Sequence, residues 1–123
     1  MRIGLIFTLV VLLSACGAQG ACTASFETLS VKIIDDSGAP IVDAVVRTVL
    51  SDGNILETDS TFGNPEGDYI LADDDALDIL KDRETAVSFE VKRGDVERSV
   101  PYVIFANRCH VENYEGPKVI MLE

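Results

Sequence analysis

Apolar and polar positions along the chain fall into three regimes. Residues 3–13 are almost continuously apolar. From residue 29 the pattern alternates: Leu29, Val31 and Ile33 share one side and Ser30 and Lys32 the other, the period-two signature of a half-buried strand. The stretch DDSGAP at 35–40 is turn chemistry, because Asp and Ser side chains bond nearby backbone, Gly tolerates positive φ and Pro fixes φ. Valine-rich residues 44–50 read as a second strand, Asp52-Gly53-Asn54 as a hairpin turn, and 55–58 as the return. Residues 59–67, with two glycines and a proline, read as a loop, and 68–71 as another short strand.

The period then changes. Aspartates come first, Leu77 and Leu80 stand three apart, and Lys81 and Arg83 come late, an order that suits the helix dipole and predicts one short helix over 75–82. Alternation returns with Val87, Phe89 and Val91 on one face and Ser88, Glu90 and Lys92 on the other. Gly94-Asp95 marks a tight turn, and 96–105 pairs back. Pro101 lacks a ladder donor, so this strand is predicted to be an edge or to bulge there. A loop containing Cys109 and Gly116-Pro117 leads to a last strand over 118–122. About seven short strands at this spacing predict an all-β fold, an antiparallel β-sandwich with one short helix.

The segment VKIIDDSGAPIVDAVVRTVLSDGNILETD resembles the opening of carboxypeptidase regulatory-like domains, which carry a strand followed by D-x-x-G-x-P-I-x-x-A-x-V. The matching positions are Asp35, Gly38, Pro40, Ile41, Ala44 and Val46; Thr58, Asp59, Gly67 and Tyr69 echo the family's later TD…G-x-Y segment with a longer gap. The resemblance covers residues 30–71 and implies a transthyretin/prealbumin-like sandwich. Such sandwiches carry one short helix after the fifth strand, and the helix that periodicity predicts here corresponds to it. The family's glycine-bearing turn after G-x-Y is replaced by the acidic helix. Its members are mostly non-catalytic accessory modules. A related branch hydrolyses hydroxyisourate with several histidines and a C-terminal tyrosine-bearing tetrapeptide; this chain has one histidine, His110, and ends VIMLE.

The apolar N-terminal run is too short for a bilayer core, which needs ~20 apolar residues. With Arg2 before it and small residues after it, it reads as a secretory signal. Leu13-Ser14-Ala15-Cys16 resembles the bacterial lipobox, which implies cleavage before Cys16 and acylation of its thiol and new amine. The expected organisation is a lipoprotein signal peptide over 1–15, a lipidated N-terminus and tether over 16–27, and the sandwich domain over 28–123. Gly17 stands where an inner-membrane retention signal would place Asp, which favours an outer-membrane anchor facing the periplasm or the cell surface. Export leaves Cys22 and Cys109 as an even remainder, which predicts a disulfide tying both ends of the sandwich. Cys109-His110 as a metal or nucleophile pair competes, but strand neighbours point to opposite faces and no third or fourth Cys or His ligand exists.

Loss of the leader removes Arg2 alone among the charges, taking the formal net charge from −11 to −12. This argues against nucleic acid, whose phosphates demand a basic footprint, and against contact with anionic headgroups beyond the anchor. No cofactor or metal is expected. Asp73, Asp74, Asp75 and Asp78 could hold calcium, but EF-hand spacing is absent and a helix start favours aspartates by itself. Arg93-Gly94-Asp95 matches an integrin-type tripeptide, yet a two-residue turn wants Gly and Asp for backbone reasons. His110 beside Glu112 lacks a nucleophile partner, so no catalytic residue is assigned. Tyr69, Tyr102 and Tyr114 could form a sugar-stacking platform, although single aromatics in a sandwich more often pack in the core. The expected role is therefore a non-catalytic domain, anchored to the membrane through Cys16 and contacting an envelope protein or glycan. The candidate contact surfaces are the sheet edge near Pro101 and the 59–67 loop.

Overall fold

The computed structural model describes residues 22–122, which form an all-β sandwich. Its elements are β1 (Thr28–Ile34), β2 (Val45–Leu50), β3 (Ile55–Leu56), β4 (Asp68–Asp73), a 3₁₀ turn (Asp74–Ala76), α1 (Leu77–Leu80), β5 (Arg83–Arg93), β6 (Val96–Ala106), β7 (Val111–Glu115) and β8 (Val119–Met121). One sheet has the order β4-β1-β8 and the other β3-β2-β5-β6-β7. The alternation seen in the sequence places Val31, Ile33, Tyr69, Leu71 and Ile120 from the first sheet against Val46, Val87, Phe89, Val91, Tyr102 and Ile104 from the second.

The all-β sandwich of mainly antiparallel strands with one short helix is as expected, and details of it are corrected. There are eight strands, because Val111–Glu115, read as loop, pairs with the end of β6. Only Val111 of β7 is buried, so the stretch carries almost no alternation. Pairing is antiparallel except at β8, which runs parallel to β1. The helical segment follows the fourth strand, and it is a 3₁₀ turn and a single α turn ending at Leu80, short of residue 82. It stops where Asp82 adopts a left-handed φ of 57° and donates its N–H to Asn107 O.

Pro101 is neither in an outermost strand nor at a bulge against β5, whose pairing runs unbroken from Arg83↔Ala106 to Arg93↔Val96. Counting alternate pairs from the Arg93↔Val96 turn puts Pro101 and Ser88 at a non-hydrogen-bonded position. The missing N–H therefore points away from β5. It falls on the flank of β6 that β7 leaves uncovered, since β7 pairs only from Val103 onward. The irregularity in β6 lies at Phe105/Ala106 instead.

The motif residues build the crossing from one sheet to the other. Asp35 Oδ1 accepts the N–H and hydroxyl of Ser37 and the N–H of Ala39, and Pro40 bridges back to Ile34. Ile41 and Ala44 are buried beyond it. Tyr69, fully buried on β4, donates its hydroxyl to Ile41 O at 2.8 Å and accepts Ala44 N–H at 3.1 Å, fixing the chain as it enters β2. Gly67 has φ +81°, and a Cβ there would lie 2.8 Å from Ile33 O and 2.9 Å from Pro40, so only glycine lets the G-x-Y segment seat against the crossing.

Tyr69→Phe should strand buried Ile41 O and Ala44 N–H and cost about 1–3 kcal/mol, read as a lower urea midpoint with unchanged slope. Thr85 Oγ1 is buried without a partner. Thr85→Val should leave stability unchanged or raise it by up to about 1–3 kcal/mol, and a lower midpoint would show that the hydroxyl does have a partner.

Candidate functional site

Two features stand out, one at each side of the domain. The first is the pole where the N-terminal tether meets the 3₁₀ turn and the β6–β7 loop. Cys22 and Cys109 are disulfide-bonded there, with Cα atoms 5.1 Å apart across 87 residues of sequence. In the chain-entropy account a loop of that size stabilises the fold by about 4–5 kcal/mol. Cys109 precedes β7, not the last strand as expected, so the bond ties the tether of one sheet to the loop at the edge of the other. Cys16 lies outside the described residues.

Under the disulfide, Asp74 collects three donors from two segments. Its Oδ2 accepts Glu27 N–H at 2.9 Å and lies 2.6 Å from His110 Nδ1, while Oδ1 accepts Val111 N–H at 2.9 Å. The Asp74 N–H returns a bond to Glu27 O at 3.1 Å. A carboxylate can only accept, so Nδ1 carries the hydrogen, and in the neutral imidazole Nε2 accepts from the Thr23 hydroxyl, 2.7 Å away. Burial alone pushes the Asp74 carboxyl up, but the Glu27 N–H, the His110 ring and the Val111 N–H outweigh it and hold the group below its ordinary value. The result is a hydroxyl–imidazole–carboxylate chain, Thr23–His110–Asp74. His110 thus pairs with Asp74 from 36 residues away, not with Glu112. Nothing in the local sequence marks either partner; the only signal was that His110 sits beside a cysteine bonded to the segment that carries Thr23.

The neighbouring Asp73 is engaged in the same way. Asp73 is fully buried and caps the 3₁₀ turn, accepting Asp75 N–H and Asp59 N–H; its carboxyl is pushed up by burial. Among the described residues no group of three or more His, Cys, Asp or Glu is placed to hold a metal ion. Arg93 of the Arg-Gly-Asp tripeptide donates to Asp43 at 2.7 Å, so its guanidinium is already committed. Tyr69 and Tyr102 are buried, and Tyr102 stands edge-on to Phe89 and Tyr114, so the three tyrosines form no surface platform. Burial and the neighbouring Tyr114 push the Tyr102 hydroxyl up to about 12.

The second feature is the outer face of the five-stranded sheet, which no layer covers among the described residues. Its cross-strand pairs place Val45, Arg47 and Val49 of β2 beside Lys92, Glu90 and Ser88 of β5, then Glu97, Ser99 and Pro101 of β6. A cavity of about 480 Å³ opens there, walled by Val45, Ile55 and Thr61 on one side and Lys92, Glu97 and Ser99 on the other. A smaller hollow of about 200 Å³ continues along the same face past Val49, Ala86 and Ser88. The short Ser and Ala side chains in the middle rows make the hollow. Phe62, in the 59–67 loop, bridges to Val45 and is 67% exposed; Val45 and Ile55 are 47% and 49% exposed. The loop proposed from sequence therefore does contribute to an apolar surface, through Phe62. The face itself was missed, although Val45, Val49, Val103 and Phe105 break the polar-outside pattern and were legible as an anomaly.

Comparison with protein families, with curated proteins and with solved structures finds no match to this chain.

Asp74→Asn should loosen the tether and the β6–β7 loop, costing about 1–3 kcal/mol near neutral pH. Because the folded carboxyl lies below its unfolded value, this contribution is full above the ordinary carboxylate range and is lost as pH falls through the depressed folded value. Denaturation curves of wild type and variant should diverge at pH 6–7 and draw together as the pH falls below the ordinary carboxylate range. Equal separation at all pH values would mean that the carboxylate charge plays no part.

Proposed function

We propose that this chain is a bacterial lipoprotein whose carboxypeptidase regulatory-like, transthyretin-like domain is anchored through Cys16 and acts without catalysis, by contact with another component of the cell envelope. The observation that carries this reading is the separation of the two features above. The tether is pinned by a disulfide and a carboxylate clamp at one pole, while an apolar hollow lies open on a sheet face and deepens toward the other pole. With five residues between Cys16 and Cys22, the tether spans only about 20 Å, so the clamped pole would sit close to the lipid. A rigid domain held at one end and sticky on one side suits binding or assembly.

A second reading has one specific observation in its favour. The Thr23–His110–Asp74 chain has the order of a nucleophile, a base and an orienting acid. A hydrolase also needs donors for a developing oxyanion and a cavity for substrate. The cavities described above lie on the outer sheet face, lined by none of these three residues. The clamp reading uses every bond in the chain and needs nothing further.

Mass spectrometry of membrane-extracted protein should give an acylated peptide beginning at Cys16; a soluble mature form starting elsewhere would remove the anchor. Crosslinking in native membranes should capture a reproducible partner lost on Phe62→Ser. Ester or hydroxyisourate turnover by the purified protein, abolished by His110→Ala in a folded variant, would replace this reading with the hydrolase.

A further inference from the structure

We infer that the open face of the five-stranded sheet is a self-association surface, and that its occupant is a second copy of this chain. The inference rests on the anchored-domain reading above and names the contact that such a domain makes first.

The argument begins with charge. The chain carries a formal net charge of −11, so two copies repel across most of their surfaces. The hollow is an exception. In its walls Arg47 pairs with Glu90 at 2.8 Å and Lys92 faces Glu97 at 3.5 Å, two cations and two anions in alternation, while the remaining charged lining residue, Arg98, donates its guanidinium to Met121 O. A patch of alternating sign is what a twofold contact requires, because each residue meets the partner's equivalent surface and cations can fall opposite anions. All four side chains are partly exposed, so the intramolecular pairs are weak and can be re-partnered across an interface.

Apolar area points the same way. Val45, Ile55 and Phe62 are the largest contiguous exposed hydrophobics on this side, and Val49, Ala86, Pro101, Val103 and Phe105 extend the apolar surface along the strands. The five strands hold 6, 2, 11, 11 and 5 residues, which at ~4.8 Å by ~3.4 Å per residue give a flat footprint of about 570 Å². A stable complex buries about 800 Å² per partner, and a side-chain-studded face has more accessible area than its flat projection. One sheet face thus approaches the size a dimer needs.

Geometry adds a third argument. Two sheets stacked face to face keep their strands within about 30° of each other. A twofold axis lying in the interface and running along the strands would leave both disulfide poles pointing the same way. Both tethers then reach one membrane, and the contact does not compete with either anchor.

The test uses the full-length lipoprotein in its own membranes. Ser99→Cys and Ser88→Cys place a thiol in the hollow, and Ser30→Cys places one on the outer face of the other sheet as a control. Treatment with a short bis-maleimide, followed by reducing electrophoresis and mass spectrometry, should give a band of twice the chain mass for the Ser99 and Ser88 variants and not for the Ser30 variant. Adding Val45→Glu and Ile55→Glu should cut that band at least tenfold while the circular dichroism spectrum is retained. Light scattering of the detergent-purified protein should report a dimer that the double variant converts to monomer. A monomer by both measurements overturns the inference. A crosslink from Ser99→Cys to a different protein also overturns it, while leaving the anchored binding domain standing.

Discussion

The carboxylate of Asp74 binds two distant stretches of chain to its own at one point, and the organisation of the whole molecule follows from it. Glu27 N–H belongs to the tether, and His110 with the adjacent Val111 N–H leads into β7. The 3₁₀ turn that presents Asp74 is itself capped by buried Asp73. Because these donors come from the two different sheets, the carboxylate closes one end of the sandwich. The disulfide between Cys22 and Cys109 adds a covalent bond over the same pole. The two devices differ in character. The disulfide limits the unfolded chain, whereas the carboxylate acts only in the folded state and only while ionised.

The opposite pole is held by different chemistry. There the chain leaves β1, turns through Asp35 and Gly38, and enters β2 under the hydroxyl of Tyr69. Arg93 and Asp43 pair across the outside of this crossing at 2.7 Å. Aromatic packing supports the middle, where Phe89, Tyr102 and Tyr114 stack edge to face and Lys118 sits 3.4 Å over the Tyr114 ring. A domain closed at both poles leaves its variable chemistry on the faces. Of the two outer faces, the larger is hollowed by Ser88, Ser99 and Ala86, and this is where surface chemistry concentrates.

What the sequence made legible was local. Alternation at Leu29–Ile33 and Val87–Val91 is a property of neighbours on one strand, and the turns at Asp35–Pro40 and Gly94-Asp95 are properties of four or five residues. Both were readable. β7 was not, because Glu112, Asn113 and Glu115 face solvent and Tyr114 is only half covered, so no period survives. The parallel pairing of β8 depends on where the chain returns after Pro117, which no local pattern encodes. The position of Pro101 was half legible: the missing donor marked an uncovered flank, but which strand supplied the flank depends on the length of β7. The site at the disulfide pole was legible only in its cysteines. Pairing Cys22 with Cys109 followed from counting, while the assembly of Thr23, Asp74 and His110 joins residues 36 and 87 positions apart.

The anchoring proposed above would change what a weak surface can do. A partly apolar face with a flat footprint of about 570 Å² is modest for an interface in free solution, where association must overcome the loss of translational freedom of two independent molecules. An anchor at Cys16, five residues before Cys22, would hold the domain within about 20 Å of the lipid. Within such a layer the effective concentration of neighbours would be set by surface density rather than by volume, and encounters would be oriented along the membrane normal. Much of the entropic cost of association would then be met before contact. On that proposal the short tether, the disulfide at its exit and the modest open face suit one another.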